Sequence, residues 1–288
     1  MANPAGSFIW YELMTPDPAG SKRFYDAVVA GWTIEAQPSG DMDYRMITRS
    51  DGGNSGGVLR LTEEMQGHGA RPCWLGYLGV PDVDAAVARV EEDGGRTLMP
   101  GHDIRGVGRI AMVTDPDGAP FYLMTPTAPA GRPDAESDVF SVDRPQHVRW
   151  NELQASDQDR SVAFYTRHFG WRQEGDMDMG DFCSYRFLYQ GETMIGAIMP
   201  RMPQVPQAAW TFYIGVGDID QAADAARAGG GTMLHGPSEI PGGEYSLTAV
   251  DPRAPSSDWL PRVSVQKILS LPIGRVSVVH SRRSSRRS

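Results

Sequence analysis

The chain has 288 residues with 40% hydrophobic and 22% charged residues, a length that favours two domains, each large enough to bury its own core. Its formal net charge of −9 gives no general attraction to nucleic acid or anionic membranes, so neither is expected as a partner. The two cysteines form no disulfide framework, no apolar run approaches the ~20 residues of a membrane helix, and no signal peptide is recognisable, so we expect a cytoplasmic protein.

The sequence of the first half predicts two copies of one order of elements: a strand, a helix and three further strands. Residues 8–14 alternate like a strand, Asp17-Pro18 can cap and begin a helix, and Gly31 can end it. Three short strands are predicted next, at residues 33–36, 44–48 and 56–61. The same order then recurs, with a strand at 73–80, a helix after Asp82, and strands at 96–99, 109–114 and 121–124.

The second half of the chain repeats the first. Trp10 and Glu12 correspond to Trp150 and Glu152, and the helical stretch at 83–95 corresponds to 219–231. An intervening polar segment is rich in Pro and Asp, as linkers are. We therefore predict a first domain at residues 7–127, a linker at 128–146 and a second domain at 147–252.

Two motifs of the first half carry a resemblance to a known family. The stretch DVDAAVARVEEDGG at 82–95, followed by Gly-Val-Gly and then by DPDGAPFYL at 115–123, resembles the vicinal-oxygen-chelate superfamily of glyoxalases, bleomycin-resistance proteins and extradiol dioxygenases. The repeat as a whole is similar to tandem-domain bacterial proteins of the glyoxalase-like or hydroxylase type. The resemblance implies an α+β fold of two tandem domains, each of two paired βαβββ modules that form a curved-sheet cleft with a divalent metal at its floor.

Most positions that ligate the metal in that family hold other residues in this chain. Glu12 and Glu152 occupy the first-strand position of the two halves. The remaining positions hold Val58-Leu59, Leu75 and Tyr122 in the first half and Thr211 in the second. One carboxylate per domain cannot hold a divalent ion. We therefore expect no metal and no other cofactor, with Glu12 and Glu152 as the only metal-ligand candidates.

Glu12 and Glu152 have two alternative interpretations. Each could be a cleft carboxylate that acts as a general base or as a hydrogen-bond acceptor for a ligand, with a pKa raised by its aromatic surroundings. Alternatively, each could form an ion pair that orders the sheet, Glu12 with Arg45 or Arg109 and Glu152 with Arg186, because a buried charge demands a partner.

Aromatic residues near the two carboxylates are candidates for lining an apolar pocket. They are Trp10, Trp74, Tyr77 and Tyr122 in the first half and Trp150, Trp210 and Tyr213 in the second. The alternative is ordinary core packing. The favoured function is a small-molecule-binding protein without the usual metal, acting as a monomer or weak homodimer. A metal-dependent lyase, isomerase or dioxygenase for a small oxygenated substrate is the alternative, and a structural role with filled clefts is the third hypothesis.

The last segment, residues 253–288, departs from the repeat immediately after Asp251-Pro252. It contains Lys267 and seven arginines against a single acid, Asp258. A frameshift in the coding sequence would explain this aberrant basic tail, and a natural basic tail is the alternative. Under the frameshift hypothesis, the second domain lacks its last strand.

Overall fold

The computed structural model describes residues 3–38, 40, 42–179, 184–203, 205–252 and 262–267. These residues form two eight-stranded mixed sheets, one from each half of the chain. The predicted α+β fold of two tandem domains with duplicated βαβββ modules is therefore confirmed.

The first domain follows the predicted order of elements. Its strands are β1 (Phe8–Thr15), β2 (Thr33–Ile34), β3 (Tyr44–Thr48), β4 (Asn54–Arg60), β5 (Cys73–Gly79), β6 (Arg96–Ile104), β7 (Gly108–Thr114) and β8 (Pro120–Pro126). Its helices are α1 (Pro18–Val28), α2 (Glu63–Gly67) and α3 (Val83–Glu92). Asp17 and Asp82 cap α1 and α3 by accepting backbone hydrogen bonds, as the sequence indicates. The short helix α2, between the two modules, is not predicted by the sequence.

The second domain repeats this order. Its strands are β9 (Val148–Ala155), β10 (Arg172–Asp178), β11 (Ser184–Gln190), β12 (Thr193–Pro200), β13 (Ala209–Val216), β14 (Thr232–Glu239), β15 (Tyr245–Val250) and β16 (Arg262–Lys267). Its helices are α4 (Gln158–Phe169) and α5 (Ile219–Ala228). The prediction of a missing last strand is corrected here, because β16 lies between β13 and β15, where β8 lies in the first sheet. Residues 253–261 and 268–288 lie outside the described residues, and the frameshift remains a hypothesis.

Both sheets have the same strand order. It is β2-β3-β4-β1-β5-β8-β7-β6 in the first and β10-β11-β12-β9-β13-β16-β15-β14 in the second. The first strands of the two modules, β1 and β5, pair antiparallel at the centre, and each has the last strand of its own module parallel on its other side. The four central strands of each sheet therefore come from both modules, and residues from all four can meet on one face.

One face of each sheet packs against the helices and the other domain. Tyr11 and Leu13 of β1 point to this side, where they join a core that extends across both domains. The Tyr11 hydroxyl donates a hydrogen bond of 2.8 Å to Asn151 Oδ1 of β9, so the central strands meet back to back. None of the helices in the described residues has the length and apolar character that a membrane crossing requires.

The opposite faces of the two sheets carry the candidate site residues. Successive side chains of a strand alternate between faces. We call the side that bears Trp10, Glu12 and Met14 the Glu12 face, and the side that bears Trp150, Glu152 and Gln154 the Glu152 face. Because the domains pack back to back through the shared core, these two faces lie on opposite sides of the molecule.

Candidate functional site

Glu12 lies at the centre of the first sheet. In β1 it is paired with Leu75 of β5 on one side and with Gly57 of β4 on the other. Its side chain is nearly inaccessible, with 2% exposure for the residue. A carboxylate at this depth needs hydrogen bonds in place of the water it has lost.

Tyrosine hydroxyls surround the Glu12 carboxylate. Tyr77 donates a hydrogen bond of 2.8 Å to Glu12 Oε2, and Tyr44 accepts one of 2.7 Å from Trp10 Nε1. The ring of Tyr122 stacks on that of Tyr77, with 4.2 Å between the ring centroids. Glu12 Oε1 is buried and makes no hydrogen bond to any residue that the structure describes. The carboxylate therefore has one satisfied oxygen and one that lacks a donor.

Gly57 makes room for this arrangement. A Cβ atom at position 57 would lie 2.2 Å from the Tyr44 hydroxyl oxygen. The Tyr44 side chain thus occupies the space that a side chain of β4 would fill beside Glu12. The sequence placed the family's fourth-strand ligand position near Val58-Leu59, whereas the residue paired with Glu12 on β4 is Gly57.

Burial determines the protonation of the Glu12 site. It raises the pKa of Glu12 from 4.5 to about 7, and the hydroxyls of Tyr77, Tyr44 and Tyr122 oppose this rise. The pKa values of these three tyrosines are raised well above their ordinary value, first by burial and then by the Glu12 charge, so all three hydroxyls remain protonated near neutral pH. Near neutral pH, Glu12 is therefore poised between its two protonation states.

The rest of the Glu12 face is apolar. In the described residues, five of the chain's 14 methionines contact it: Met14, Met65, Met99, Met112 and Met124. Leu59, Leu61, Leu75 and Ile110 complete the surface. Met65 belongs to α2, and together with Ala70 it packs against this face from the segment between the two modules. The carboxylate thus lies at the floor of a surface rich in flexible thioether side chains.

The ion pairs expected for the two glutamates are not formed. Arg45 pairs with Asp43, and Arg109 pairs with Asp84 and Asp103. Arg186 pairs with Asp159. These arginines have acidic partners closer in sequence or nearer the surface, where both groups keep part of their hydration. The ion-pair interpretation of Glu12 and Glu152 is therefore wrong for these arginines.

The second domain places Glu152 in the same position, with different neighbours. Glu152 Oε2 accepts hydrogen bonds from the hydroxyls of Tyr185, at 2.8 Å, and Tyr213, at 3.3 Å. Gln154 Nε2 donates to Glu152 Oε1 at 3.4 Å, and Trp150 Nε1 donates to Tyr185 at 2.7 Å. The Trp-Tyr-Glu arrangement is therefore duplicated, but here both carboxylate oxygens have donors.

Two of the residues expected to line a ligand pocket lie on the other side of their sheets. Trp74 pairs with Leu13 in the ladder and donates a hydrogen bond of 3.0 Å to the Tyr25 hydroxyl inside the core. Trp210 makes the same 3.0 Å contact with Tyr165. Each is three residues before the tyrosine of its strand, Tyr77 or Tyr213, and strand alternation puts residues at that spacing on opposite faces. The remaining aromatic candidates, Trp10, Tyr77, Tyr122, Trp150 and Tyr213, lie on the faces of the glutamates.

Two residues of these sites, Tyr44 and Tyr185, are not among the candidates that the sequence indicates. Both lie on the second strand after the first helix of their domain, and each is the neighbour of its glutamate and tryptophan. A signal was present, because a Tyr-Arg pair occurs in both halves, at residues 44–45 and 185–186. The motif is too short to be noticed without knowing that its strand reaches the central glutamate.

The side chains around Glu12 do not provide the ligands that a divalent metal ion requires. Such an ion requires three or four nitrogen, oxygen or thiolate ligands. Glu12 offers one carboxylate, its tyrosine neighbours remain protonated, and burial with the Glu12 charge raises the pKa of the nearby Cys73 thiol to about 12. The described residues also contain no group of three or more His, Cys, Asp or Glu side chains that could hold a metal ion.

Two curated proteins have sequences similar to this chain. "Putative glyoxylase CFP32" of Mycobacterium tuberculosis is 33% identical over 237 residues, which cover 81% of this chain and 85% of that protein. "Anthracycline biosynthesis protein DnrV" of Streptomyces peucetius is 27% identical over 257 residues, covering 83% of this chain and 87% of the relative.

Solved structures share the fold at lower identity. Homoprotocatechuate 2,3-dioxygenase from B. fuscum matches with a TM-score of 0.59 and 18% identity, over 92% of this chain and 72% of its own. The Mn(II)-bound glyoxalase from Novosphingobium aromaticivorans matches with a TM-score of 0.59 and 17% identity, over 92% of this chain and 84% of the glyoxalase chain. A sequence model of one family also matches both halves, at residues 7–123 and 144–253. The chain therefore belongs to the Glyoxalase/Bleomycin resistance protein/Dioxygenase superfamily, as its two motifs and duplicated modules indicate.

Proposed function

We propose that the Glu12 face binds a small organic molecule without a metal ion. The ligand donates a hydrogen bond from a hydroxyl group to Glu12 Oε1, and its apolar body contacts the methionine-rich surface around it. The observation that carries this proposal is the buried carboxylate oxygen that accepts no hydrogen bond from the described residues. A buried acceptor left unpaired costs about 1–3 kcal/mol, and more when it is charged, so a ligand donor there gains an unusually favourable contact.

The surroundings of Glu12 favour an aromatic hydroxyl compound. A phenol has a stronger hydrogen-bond donor than an aliphatic alcohol, and its ring suits an aromatic and thioether surface. Methionine side chains adapt to ligands of different shape, so we expect recognition of the hydroxyl to be strict and recognition of the ring system to be tolerant. The names of the two relatives in anthracycline biosynthesis, DauV and DnrV, support a polycyclic aromatic ligand class.

Access to Glu12 requires movement of the segment that contains α2. Met65 and Ala70 pack against the Glu12 face. However, α2 has five residues and none of them is buried, so displacing it disrupts little of the core. We infer that this segment moves aside when the ligand enters and packs over the ligand afterwards.

The proposal can be tested with 1-naphthol and its methyl ether, which share a ring system but differ in the hydroxyl donor. Calorimetric titration above pH 7 should give roughly tenfold tighter binding for 1-naphthol, because a hydrogen bond to a charged acceptor contributes about 1.5–3 kcal/mol. In Glu12→Leu this difference should disappear, with binding of the ether retained. Glu152→Leu is the matched control, since it removes the equivalent carboxylate on the opposite side of the molecule.

The pH dependence of naphthol binding provides a second test of the same contact. The naphthol hydroxyl donates to the ionised carboxylate and stabilises it. The affinity for 1-naphthol should therefore rise as pH increases through about 7, the pKa of Glu12, while the naphthol remains protonated. Equal affinities for 1-naphthol and its ether, at every pH and in both variants, would rule out the proposed contact.

The alternative function is a metal-dependent lyase, isomerase or dioxygenase. It is favoured by the chemistry named for the two structural neighbours, a dioxygenase and a Mn(II)-bound glyoxalase. Elemental analysis of the purified protein decides between the two. A stoichiometric metal that is lost in Glu12→Gln would support the alternative and contradict the metal-free proposal. We also propose a monomer, because each sheet obtains both of its modules from the same chain.

A further inference from the structure

We infer that the Glu152 face is a second binding site, for a polyhydroxylated ligand of monosaccharide size. It is separate from the site proposed around Glu12 and uses different residues. Three observations carry this inference: the polar residues that the strand register brings to the face, the partial exposure of Thr211, Tyr213 and Thr248 among the residues of this face, and the way in which neighbouring side chains hold the Glu152 carboxylate.

The strand register shows that polar residues on the Glu152 face replace apolar or aromatic ones of the Glu12 face. Thr211 is paired with Glu152 where Leu75 is paired with Glu12, and Ser264 is paired with Tyr213 where Tyr122 is paired with Tyr77. By the same register, Gln154, Ser246, Thr248 and Gln266 stand at the positions of Met14, Ile110, Met112 and Met124. Six positions on four strands have changed in the same chemical direction.

The Glu152 face is also more accessible than its counterpart. Thr211, Tyr213 and Thr248 are partly exposed. At the positions equivalent to Thr211 and Tyr213, Leu75 and Tyr77 are 1% and 6% exposed, whereas Met112, the equivalent of Thr248, is itself partly exposed. Thr211 and Thr248 can therefore present their hydroxyl groups to a ligand.

Neighbouring side chains hold the Glu152 carboxylate in a fixed orientation. Tyr185 and Tyr213 donate to Oε2, and Gln154 donates to Oε1. A carboxylate held in this way can still accept from a ligand hydroxyl, because each oxygen has more than one lone pair. The partly exposed hydroxyl groups of Thr211 and Thr248 can both donate and accept, which matches the hydroxyl groups of a sugar.

An aromatic cluster borders these polar groups. The rings of Trp150, Tyr185 and Phe187 lie within 6.4 Å of one another, measured between centroids. Carbohydrates present hydroxyls at their edges and an apolar C–H surface on their ring faces. A polar floor beside an aromatic border fits that combination better than it fits a purely apolar ligand.

The two faces cannot share one small ligand. They point away from each other, with the shared core and the contact between Tyr11 and Asn151 between them. A ligand bound at one site therefore does not contact the residues of the other site, and the two sites can be tested independently.

Saturation-transfer NMR on the full chain tests the inference with three probes: methyl α-D-glucoside, methyl α-D-mannoside and myo-inositol. We expect at least one of them to give a saturable signal at millimolar concentration. In the double variant Thr211→Leu/Thr248→Met, which introduces the residues of the Glu12 face, binding should weaken roughly tenfold through the loss of two hydroxyl groups. Thr33→Leu, at an exposed threonine of β2, is the matched control and should bind as the unmodified protein does.

Binding of 1-naphthol to the same double variant distinguishes the two proposals. Retained naphthol binding shows that the variant is folded, so a loss of polyol binding then supports the second site. The inference is overturned if none of the three polyols gives a saturable signal, or if the double variant binds them as the unmodified protein does. Neither outcome depends on whether naphthol recognises Glu12.

Discussion

The Glu12 and Glu152 faces begin from the same arrangement and place it in different environments. Each has a tryptophan that donates to a tyrosine on the second strand from the sheet edge, and a glutamate at the centre of the sheet. Both glutamates have tyrosine neighbours, but leucine and methionine surround Glu12 on the strands where threonine, serine and glutamine lie around Glu152. The comparison teaches that the surrounding residues, rather than the glutamate, determine which ligand each face suits.

The opposite side of each sheet has not diverged in this way. Leu13 and Trp74 correspond to Leu153 and Trp210, and both tryptophans donate to a tyrosine of the helix that packs on them. Close packing in the core restricts substitutions, because changes in volume are costly there. Strand alternation lets the outer face change while the inner face is preserved.

The largest expected effect belongs to the Glu12 face and concerns the pH dependence of stability. Because the folded-state pKa of Glu12 is raised from 4.5 to about 7, the folded protein holds a proton that the unfolded chain has released. Stability contributed by this group is therefore fully present below about pH 4.5 and falls as pH rises to about 7. Glu12→Gln removes this loss and should be more stable than the unmodified protein by roughly 3 kcal/mol at pH 8.

Chemical denaturation between about pH 5 and 8 measures this effect as the difference in unfolding free energy between the variant and the unmodified protein. The advantage of Glu12→Gln should grow across that interval. Glu152→Gln is the matched control, and the pH dependence that Glu12 causes should persist in it. A difference for Glu12→Gln that does not change with pH would contradict the assignment of a raised pKa.

A reciprocal exchange of paired residues tests whether the two environments are interchangeable. Leu75→Thr places a hydroxyl in a nearly inaccessible position and removes packing, so it should lower the unfolding free energy by about 2 kcal/mol. Thr211→Leu, at a partly exposed position, should change it by less than about 0.5 kcal/mol. Denaturation followed by tryptophan fluorescence measures both, and equal costs would mean that the two faces do not differ in burial.

The fold could be predicted from the sequence because its signals repeat. Asp17 and Asp82 cap helices as expected, and the duplicated pattern fixes the order of the elements twice over. The six-residue strand β16 was not anticipated, because its sequence bears no likeness to β8. Its backbone nevertheless pairs with β13 and β15, and backbone hydrogen bonding has little dependence on side-chain identity.

The site could be predicted only in part. Glu12, Trp10 and Tyr77 follow from alternation along single strands, which the sequence shows directly. Trp74 belongs to the core, the alternative to pocket lining, because it lies three residues from Tyr77 and the two therefore point to opposite faces of β5. Tyr44 depends on how far β3 lies from β1 and on the space that Gly57 leaves, and such contacts between distant segments are not visible in a single sequence.

The smallest predicted difference concerns the tyrosine that donates to each glutamate. Tyr77→Phe removes the 2.8 Å hydrogen bond to Glu12, whose other oxygen has no donor in the described residues, and should cost about 1.5 kcal/mol above pH 7. Tyr213→Phe removes a longer bond of 3.3 Å, and Glu152 keeps Tyr185 and Gln154, so its cost should be about 0.5 kcal/mol.

Denaturation on both sides of the Glu12 pKa separates these two variants further. Because Tyr77 stabilises the ionised carboxylate, its loss should raise the pKa of Glu12, and the cost of Tyr77→Phe should shrink as pH falls below about 7. The protonated carboxyl group needs fewer donors, which is why the missing hydroxyl then matters less. A cost for Tyr77→Phe that is the same at about pH 5 and pH 8 would show that Glu12 is not ionised beside Tyr77, and that the two glutamates differ in some way other than the number of their donors.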